Sequence, residues 1–404
     1  MSVLYLSYDG AMDPLGQSQV VPYVKGLASL GYPMKLVSFE KPGGLRDAKR
    51  VSSVRQDLEE AGVEWSPLRY HRRWSLASTS YDVLQGIRVG LRIHRSSDVK
   101  LIHARSYVAG LMAREIAART SAPWIFDMRG FWVDERIGAG LWTDGSPVVR
   151  LARALERSLL ARADALVHLT EQGARLAPEL APGVTLPRAF VIPTCVDLGR
   201  FTPADDPEAL RRRLGIERGP VILYIGSLST WYLAELTLRV GGAFVRRTGG
   251  SFVVLTQEVE YVRDLADKLG VDPRVETVEY GRVPDWIRMA DAGLALVRPD
   301  HAKRASAPTK VGEYLACGLA VAATAGVGDL NDHFQGSDVA LTVSPSEEPE
   351  KIVDGILAAM GTTDRVAKAR ALAEAHYDLA AAVGKFAELY RSLGVELGES
   401  GGGA

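Results

Sequence analysis

The hydrophobic positions of this chain form short apolar runs that alternate with longer amphipathic stretches. Short apolar runs are typical of strands buried in a parallel sheet, and apolar residues every three or four positions are typical of helices. In the first half, the pattern predicts strands at Val3–Ser7, Met34–Phe39, Leu101–His103, Trp124–Asp127 and Ala165–Leu169. It predicts helices at Ser18–Leu30, Val51–Ala61, Tyr81–Arg95, Tyr107–Arg119 and Val148–Ala163.

The alternation stops in a stretch marked by Pro and Gly, Pro182–Pro203, which contains the short apolar segment Phe190–Pro193, and then it restarts. The strands predicted next are Val221–Ile225, Phe252–Leu255, Val275–Val278, Ala292–Val297 and Ala320–Ala323. The helices predicted next are Leu233–Arg247, Tyr261–Leu269, Glu348–Met360, Val366–Glu374 and Leu379–Leu393. This alternation predicts an α/β protein with two doubly wound domains. We place the domains at 1–200 and 201–376, a last helix at 377–394 and a flexible tail at 395–404.

The composition is that of an ordinary globular protein, with 47% hydrophobic and 24% charged residues among 404. The net charge of −1 argues against a dedicated nucleic-acid binder, which normally has a basic domain. Cys195 and Cys317 match no metal-ligand spacing. We predict no metal site, and we also expect no cofactor. We find no charged-then-apolar leader and no apolar run as long as a membrane span, so we expect a cytoplasmic protein.

The polar loops after the strands are where chemistry is expected, because parallel sheets bind ligands beyond the carboxyl ends of their strands. No Gly-x-Gly-x-x-Gly follows the first strand, which weighs against a nicotinamide or flavin enzyme. After the strand Ala292–Val297, Pro308 sets the direction of the chain into a helix that Thr309 is expected to cap. Lys310 then lies in the first turn, where the helix dipole disfavours a cation unless an anion is near. Glu313 lies on the same face of the helix.

This helix start has two interpretations. One is a capped helix with an internal pair between Lys310 and Glu313. The other is a nucleotide-diphosphate site, in which Thr309 and Lys310 hold the phosphates and Glu313 binds the ribose hydroxyls.

A second polar segment, residues 127–136, follows a strand of the first half and packs acidic, basic and aromatic side chains together. It forms either a structural ion-pair network or part of a site. In the second case Arg129 neutralises developing phosphate charge. Asp127 or Glu135 then binds substrate hydroxyls, and Trp132 stacks on a sugar.

His103 and Arg105 end another strand of the first half, and either is a candidate to face a bound substrate. A lone histidine at a strand end is more often structural than catalytic. Near the N-terminus, Gly10 and Gly16 permit backbone turns that other residues disfavour.

Two segments carry a resemblance to a known family. Asp13–Gln19 resembles the acceptor-side loop of glycosyltransferase family 4-like enzymes, and Pro308–Val321 resembles their nucleotide-sugar helix and following strand. The resemblance extends from Leu4 to about Tyr390. It implies the GT-B fold, with two Rossmann-like doubly wound domains facing across a cleft. The acceptor site would lie in the first domain, the donor site mainly in the second, and the last helix would cross back. It also implies retention of anomeric configuration without a metal ion.

The resemblance, with the residues above, gives three sets of candidates. The donor-binding candidates are Gly16, Gly226, Ser227, Ser306, Pro308, Thr309, Lys310 and Glu313. The acceptor-binding candidates are Gln17, Arg105, Asp127, Trp132 and Glu135. The catalytic candidates are Lys310, Arg129 and His103.

The chain departs from the family pattern in two places. Many relatives carry an Arg and a Lys after the Gly226 turn, whereas this chain has Ser229-Thr230-Trp231-Tyr232. Phosphate contacts would then come from Ser227, Ser229 or backbone amides. The first of the family's paired glutamates is Ala305 here, so the usual contact to the donor sugar is missing. The candidates to replace it are His301, Lys303, Arg304 and Ser306.

We therefore predict a retaining glycosyltransferase that uses a nucleotide sugar, UDP-linked rather than GDP-linked. Its acceptor would be a carbohydrate, a lipid-linked sugar or a small molecule. The alternatives are a catalytically silent nucleotide- or carbohydrate-binding protein of the same fold and a non-hydrolysing sugar-nucleotide epimerase.

Basic and aromatic residues also cluster in the first half of the chain. The cluster is either a solvated surface or a peripheral contact with the inner membrane face that presents a lipid-linked acceptor. Its members are Arg69, His71, Arg72, Arg73, Trp74, Arg88, Arg92, His94 and Arg95.

Overall fold

The computed structural model describes residues 2–71, 75–216 and 219–396. The chain divides into two compact units. One unit comprises Met1–Pro193 together with the C-terminal segment from Leu379 onward, and the other comprises Thr194–Asp378. Each unit contains its own parallel sheet.

The first unit contains a seven-stranded sheet. Its strands are β1 (Ser2–Ser7), β2 (Met34–Glu40), β3 (Val63–Arg69), β4 (Val99–Arg105), β5 (Trp124–Asp127), β6 (Ala165–His168) and β7 (Ala189–Val191). Their order is β3-β2-β1-β4-β5-β6-β7, and neighbouring strands pair in parallel. The helices along it are α1 (Pro14–Gln19), α2 (Val21–Ser29), α3 (Pro42–Arg46), α4 (Ala48–Glu60), α5 (Ser75–Ser97), α6 (Ser106–Thr120), α7 (Trp132–Gly138), α8 (Pro147–Arg162) and α9 (Glu171–Leu180).

The second unit contains a six-stranded parallel sheet. Its strands are β8 (Val221–Ile225), β9 (Ser251–Leu255), β10 (Arg274–Glu276), β11 (Ala292–Ala295), β12 (Ala320–Thr324) and β13 (Ala340–Val343). Their order is β10-β9-β8-β11-β12-β13, the same doubly wound order as in the first unit. The helices are α10 (Pro207–Leu214), α11 (Ala234–Thr248), α12 (Val259–Leu269), α13 (Val283–Arg288), α14 (Thr309–Ala316), α15 (Leu330–His333), α16 (Pro349–Met360) and α17 (Arg365–His376). Short 3-10 turns lie at Tyr280–Arg282 and Ala302–Ala305.

The second sheet is buried on both faces. Along β8, Val221 and Leu223 join one hydrophobic cluster with residues of α13, α14 and α17. Ile222 and Tyr224 join the opposite cluster with residues of α11, α12 and α16. Because side chains alternate along a strand, helices on both faces require the continuous apolar runs that the sequence shows. The predicted α/β architecture with two Rossmann-like units is confirmed.

The last helix, α18 (Leu379–Ser392), belongs to the first unit. It packs on α2, where a Cβ placed on Gly26 would lie 2.6 Å from a methyl of Val383. The rings of Tyr23 and Phe386 meet edge to face, with centroids 5.8 Å apart. The end of the chain therefore completes the packing of the domain with which it begins.

Some elements differ from the sequence prediction. The helix expected at Ser18–Leu30 is two helices, α1 and α2, because Pro22 lacks the amide that a continuous helix would need. The edge strands β3 and β13 were not predicted. In β3 the residues are Val-Glu-Trp-Ser-Pro-Leu-Arg, and such a mixed run with Pro is tolerated at a sheet edge.

Candidate functional site

Helix α14 begins at the predicted place, on the loop that follows β11. Its first residue is Thr309, and Pro308 occupies the cap position with φ −67° and ψ 113°. No side chain of the described residues caps this helix. The expectation that Thr309 caps it is wrong, because Thr309 already has a helical backbone and the residue before it is a proline.

The ammonium group of Lys310 is buried and has no hydrogen-bond partner among the described residues. Its Nζ lies 4.0 Å from the ring centroid of Tyr224 and 4.3 Å from that of Tyr232. Burial lowers the pKa of Lys310 to about 7, although the carboxylate of Glu313 opposes the shift. Two aromatic faces support the cation but accept none of its N–H bonds. A buried donor of this kind points to a ligand, since buried polar groups are normally paired.

Glu313 is also buried, one turn further along α14. Burial raises its pKa to about 7, against the opposing effects of Arg200 and Lys310. Within the described parts of the chain, no hydrogen bond joins Glu313 to the Lys310 ammonium. The closed internal pair is therefore not what this helix forms, and the two side chains keep their polar atoms available.

Gly226 brings the loop after β8 against Lys310. Its φ is +113°, which favours glycine, and a Cβ there would lie 3.4 Å from the Lys310 Nζ. The Gly226 amide donates to the Leu255 carbonyl at the end of β9. The loop thus approaches the ammonium at the carboxyl edge of the second sheet, where the sequence predicts the donor diphosphate.

The polar groups of this loop are bound to Glu258, which follows β9. The hydroxyls of Ser227 and Ser229 donate to Oε1 of Glu258, the first at 2.6 Å. The amides of Leu228 and Ser229 donate to Oε2 at 2.8 and 3.0 Å. The groups expected to be free for phosphate are therefore engaged by a carboxylate. Sequence reasoning missed Glu258, although an acidic residue just after a strand of the same sheet was a usable signal.

The loop between β11 and α14 places the candidates for the missing glutamate. Ala305 is buried, and Ser306 is half-buried beside it. The ammonium of Lys303 lies 4.1 Å from the Trp231 ring centroid. His301 and Arg304 are exposed, so the four candidates point to different surroundings.

In the first unit, β4 and β5 bring His103 next to Asp127. The His103 Nε2 lies 3.6 Å from the Asp127 Oδ2, and the Nδ1 bonds the Tyr390 hydroxyl of α18 at 2.7 Å. Burial lowers the pKa of His103, although Asp127 opposes the shift. The imidazole has no exposed surface. This placement favours the structural interpretation of His103 over direct contact with an acceptor.

Arg129 is held beside Asp127 by an unusual backbone. It has φ +62° and is followed by Gly130 at φ +128°. One guanidinium nitrogen lies 3.6 Å from the Asp127 Oδ2, and another donates to the Gln19 side chain at 2.9 Å. Burial would raise the pKa of Asp127, but Arg129 and His103 outweigh it and hold that pKa below its usual value. The sequence indicated Arg129 and Asp127 but not Gln19.

Arg105, at the end of β4, forms a close ion pair with Asp9 after β1. This edge of the first sheet concentrates buried polar atoms that have no hydrogen-bond partner among the described residues. They are Gln19 Nε2, His103 Nε2, Arg105 Nε, Asp127 Oδ1, Arg129 Nε and His168 Nε2. Such a concentration is typical of a site for a polar ligand.

Trp132 and Glu135 lie on α7. The Trp132 ring packs against Trp142 and Tyr107, with centroids 5.0 and 5.5 Å away. Glu135 is half-buried on the same helix. Structural ion pairs do form in this segment: Asp134 and Glu156 bind Arg153 at 2.5 and 2.8 Å, and Asp127 pairs with Arg129.

Gly16 and Gln17 lie on α1. A Cβ on Gly16 would lie 1.8 Å from the Gly10 carbonyl oxygen, so glycine is required for backbone packing. The Gln17 side chain donates to the Ala11 carbonyl. The same loop is held by the buried Glu40 carboxylate of β2, which accepts the amides of Ala11 and Met12 at 2.7 and 3.1 Å.

Within the described ranges, no group of three His, Cys, Asp or Glu side chains could hold a metal ion. No described helix is both long and apolar enough to cross a membrane. Arg72, Arg73 and Trp74 of the basic cluster lie outside the described residues. Of the others on α5, Arg88, Arg92 and Arg95 are exposed, as are Tyr81 and Leu84.

Two family models match the chain. A glycosyl transferase 4-like domain matches residues 17–195, and a glycosyl transferase-like domain matches residues 232–387. The fold and both matches identify the class: this chain belongs to the glycosyltransferase 4-like proteins of the GT-B fold.

Particular relatives are more distant. The chain is 29% identical over 261 residues to a D-inositol 3-phosphate glycosyltransferase of Xylanimonas cellulosilytica, over 59% of this chain and 58% of that protein. A protein with the same description from Geodermatophilus obscurus is 30% identical over 146 residues, covering 36% of this chain and 32% of that one. The chain thus spans at most about three fifths of these curated relatives.

Solved structures are similar over almost the whole chain. Sucrose-phosphate synthase from Thermosynechococcus elongatus has a TM-score of 0.72 at 16% identity, covering 97% of this chain and 99% of that one. HepE from Anabaena, solved with UDP and glucose, has a TM-score of 0.70 at 15% identity, covering 97% and 100%. At these identities the similarity establishes the fold.

Proposed function

We propose that this chain is a retaining glycosyltransferase that moves a sugar from a nucleoside-diphosphate sugar to a hydroxyl acceptor without a metal ion. One observation carries the proposal. The Lys310 ammonium is buried at the carboxyl edge of the second sheet, with its N–H donors unused by the described residues and Gly226 beside it. A diphosphate is an anion that would use those donors.

The proposed reaction breaks the bond between the sugar C1 and the β-phosphate oxygen. The electron pair goes to the phosphate, and the acceptor oxygen bonds to C1 on the same face. The acceptor proton passes to the departing phosphate. Lys310 meets the negative charge that accumulates on that phosphate, assisted by amides at the start of α14. Such preorganised electrostatic stabilisation is usually the largest catalytic contribution, about 2.7–4 kcal/mol for one donor.

UDP is the proposed nucleotide, and the Anabaena protein solved with UDP and glucose supports this choice. Glu313, buried one turn after Lys310, is proposed to accept hydrogen bonds from the ribose. Arg129, Arg105 and Asp127 are proposed to bind the acceptor, because their unpartnered buried atoms lie at the carboxyl edge of the first sheet. The acceptor is a carbohydrate, a lipid-linked sugar or a small molecule such as the inositol phosphate named for the curated relatives.

Contact with an anionic membrane is part of the proposal for a lipid-linked acceptor. Exposed Tyr81 and Leu84 lie on the same face of α5 as the exposed Arg88, Arg92 and Arg95, so this face offers both apolar and basic side chains to an anionic surface. Co-sedimentation with vesicles that is insensitive to their content of anionic lipid would contradict it.

A second candidate is a silent nucleotide-binding protein. Ala305 replaces a sugar-contacting glutamate, and Glu258 occupies the loop donors near Lys310. A glycosyltransferase should release nucleotide only when both a donor and an acceptor are present. A silent protein binds nucleotide without turnover, and an epimerase converts the donor without an acceptor.

The experiment is a matrix of UDP- and GDP-sugars against monosaccharide, inositol phosphate and polyprenyl-phosphate acceptors, with nucleotide release and product both measured. Lys310→Met is compared with Lys268→Met, which removes an exposed lysine of α12. The proposal predicts release with the wild type and the Lys268 variant, and a loss of about a hundredfold or more with the Lys310 variant. Equal rates for the two variants would contradict it.

A further inference from the structure

The carboxylate of Glu258 fills an anion site in the loop after β8. Two consecutive amides, of Leu228 and Ser229, and two hydroxyls, of Ser227 and Ser229, all donate to it. Successive amides that converge on one anion are a recurrent way of binding phosphate. Burial opposes the ionisation of Glu258, but these donors outweigh burial and hold its pKa below the usual value. The group is therefore an anion bound by its own protein.

The same arrangement occurs in the first unit, which provides an internal comparison. There Glu40, at the end of β2, accepts the amides of Ala11 and Met12 after β1. Glu40 has no exposed surface, so it is a fixed structural support. Glu258 is half-exposed, and its loop lies next to the unpartnered Lys310. The carboxylate of the second unit can therefore turn out to solvent, whereas departure of the first would leave the buried amides of Ala11 and Met12 without their acceptor.

Tyr224 and Gly226 connect the Glu258 site to the Lys310 ammonium. The Tyr224 hydroxyl donates to the Ser227 carbonyl, and the Lys310 Nζ lies 4.0 Å from the centre of the same ring. A Cβ on Gly226, the residue before Ser227, would lie 3.4 Å from that Nζ. An anion on Lys310 would therefore approach the loop whose donors Glu258 occupies.

We infer that Glu258 competes with the donor diphosphate for the donors of Ser227, Leu228 and Ser229, and that diphosphate binding displaces it. The inference rests on the proposed function and deepens it, since it names the residue that sets donor affinity at the same site. An internal competitor lowers the affinity for every diphosphate nucleotide. It also leaves the loop folded and its amides satisfied when no nucleotide is bound.

The test is the dissociation constant of UDP, measured by titration calorimetry on the full chain, for the wild type and Glu258→Gln. Glutamine removes the charge but can still accept the amides and exchange hydrogen bonds with the hydroxyls. Glu260→Gln, at an exposed position on α12, is the matched control. Uridine, which has no phosphate, is titrated in parallel.

Glu258→Gln should bind UDP about tenfold more tightly, which corresponds to ~1.4 kcal/mol. Its affinity for uridine and the UDP affinity of Glu260→Gln should not change. Unchanged or weaker UDP binding by Glu258→Gln would overturn the inference, and so would an equal gain for uridine. In both cases UDP still binds, so the proposed function survives. If no variant binds UDP, both fail.

A structure of the wild type with UDP keeps the inference testable if Glu258→Gln does not fold. A phosphate oxygen should then accept the Ser229 amide, and the Glu258 carboxylate should lie beyond hydrogen-bond distance from it. Glu258 still bound to both amides, with the diphosphate elsewhere, would overturn the inference.

Discussion

Replacement of Lys310 by methionine should stabilise the unliganded protein and abolish its activity. The folded pKa of Lys310 is lowered from 10.5 to about 7 by burial. At ~1.4 kcal/mol per pKa unit, the fall from 10.5 to about 7 means that burial disfavours the ammonium by about 5 kcal/mol. At pH 7 half of the folded Lys310 is already neutral, so the cost to stability is about 4 kcal/mol. Loss of its contacts with Tyr224 and Tyr232 returns about 1–2 kcal/mol of this. Methionine should therefore raise the free energy of unfolding by about 2 kcal/mol or more.

The assays are thermal unfolding without ligand, UDP affinity and nucleotide release. For a unit of the size of Thr194–Asp378, which contains Lys310, about 2 kcal/mol corresponds to a rise of the melting temperature by roughly 4 °C or more. UDP affinity and release should fall by about a hundredfold or more. Lys268→Met should leave all three quantities unchanged. A less stable Lys310→Met protein would show that burial does not penalise this cation, and nearly full UDP affinity would show that Lys310 does not bind the diphosphate.

Three further predictions concern Lys310, Gly226 and Tyr390. At pH 8 Lys310 is mostly neutral in the unliganded protein, and a bound diphosphate raises its pKa. UDP binding should therefore take up nearly one proton in the wild type and almost none in Lys310→Met. Calorimetry in buffers of different ionisation enthalpy measures the proton uptake, and equal uptake by the two proteins would contradict the prediction. Gly226→Ala should weaken UDP binding and lower stability by about 1–3 kcal/mol, because the φ of Gly226 is +113° and the new methyl would lie 3.4 Å from the Lys310 Nζ. Gly281→Ala is the control, since a Cβ on Gly281 meets no atom within 4 Å. Equal effects of the two substitutions would contradict the prediction. Tyr390→Phe removes the hydroxyl that bonds His103, so it should lower the free energy of unfolding, measured with urea, by about 1 kcal/mol and leave UDP affinity unchanged. A loss of transfer rate without a loss of stability would instead make His103 a catalytic candidate again.

The pH dependence of stability follows from Lys310 and Glu313. Between about pH 4.5 and 7 the folded Glu313 holds a proton that the unfolded chain has lost, so stability falls as the pH rises. Between about pH 7 and 10.5 the unfolded chain holds a proton that the folded Lys310 has lost, so stability rises with pH. The pair therefore gives a local minimum of stability near pH 7, which diphosphate binding removes.

The architecture was predictable because both sheets are parallel and covered on both faces. Runs such as Val221–Ile225 must then be apolar at every position, and such runs are visible in a sequence. The edge strands β3 and β13 were missed because an edge position relaxes that demand. The break at Val20 depends on Pro22, a local signal that the helical pattern obscured.

The site was predicted only in part, for a physical reason. The helix dipole argument located Lys310, and it needs only the position of one cation relative to one helix start. The support of that cation by Tyr224 and Tyr232, and the binding of Ser227 and Ser229 by Glu258, join residues distant in sequence. Such contacts follow from strand order and loop conformation. His103 shows the converse, since its position at a strand end was visible but its burial against Tyr390 was not.

The most direct test of the central claim is a structure of the wild-type protein bound to UDP. We predict that the Lys310 Nζ donates to an oxygen of the β-phosphate within about 3.2 Å, while still lying over the Tyr224 ring. A diphosphate bound elsewhere, with the Lys310 ammonium still without an acceptor, would contradict the account.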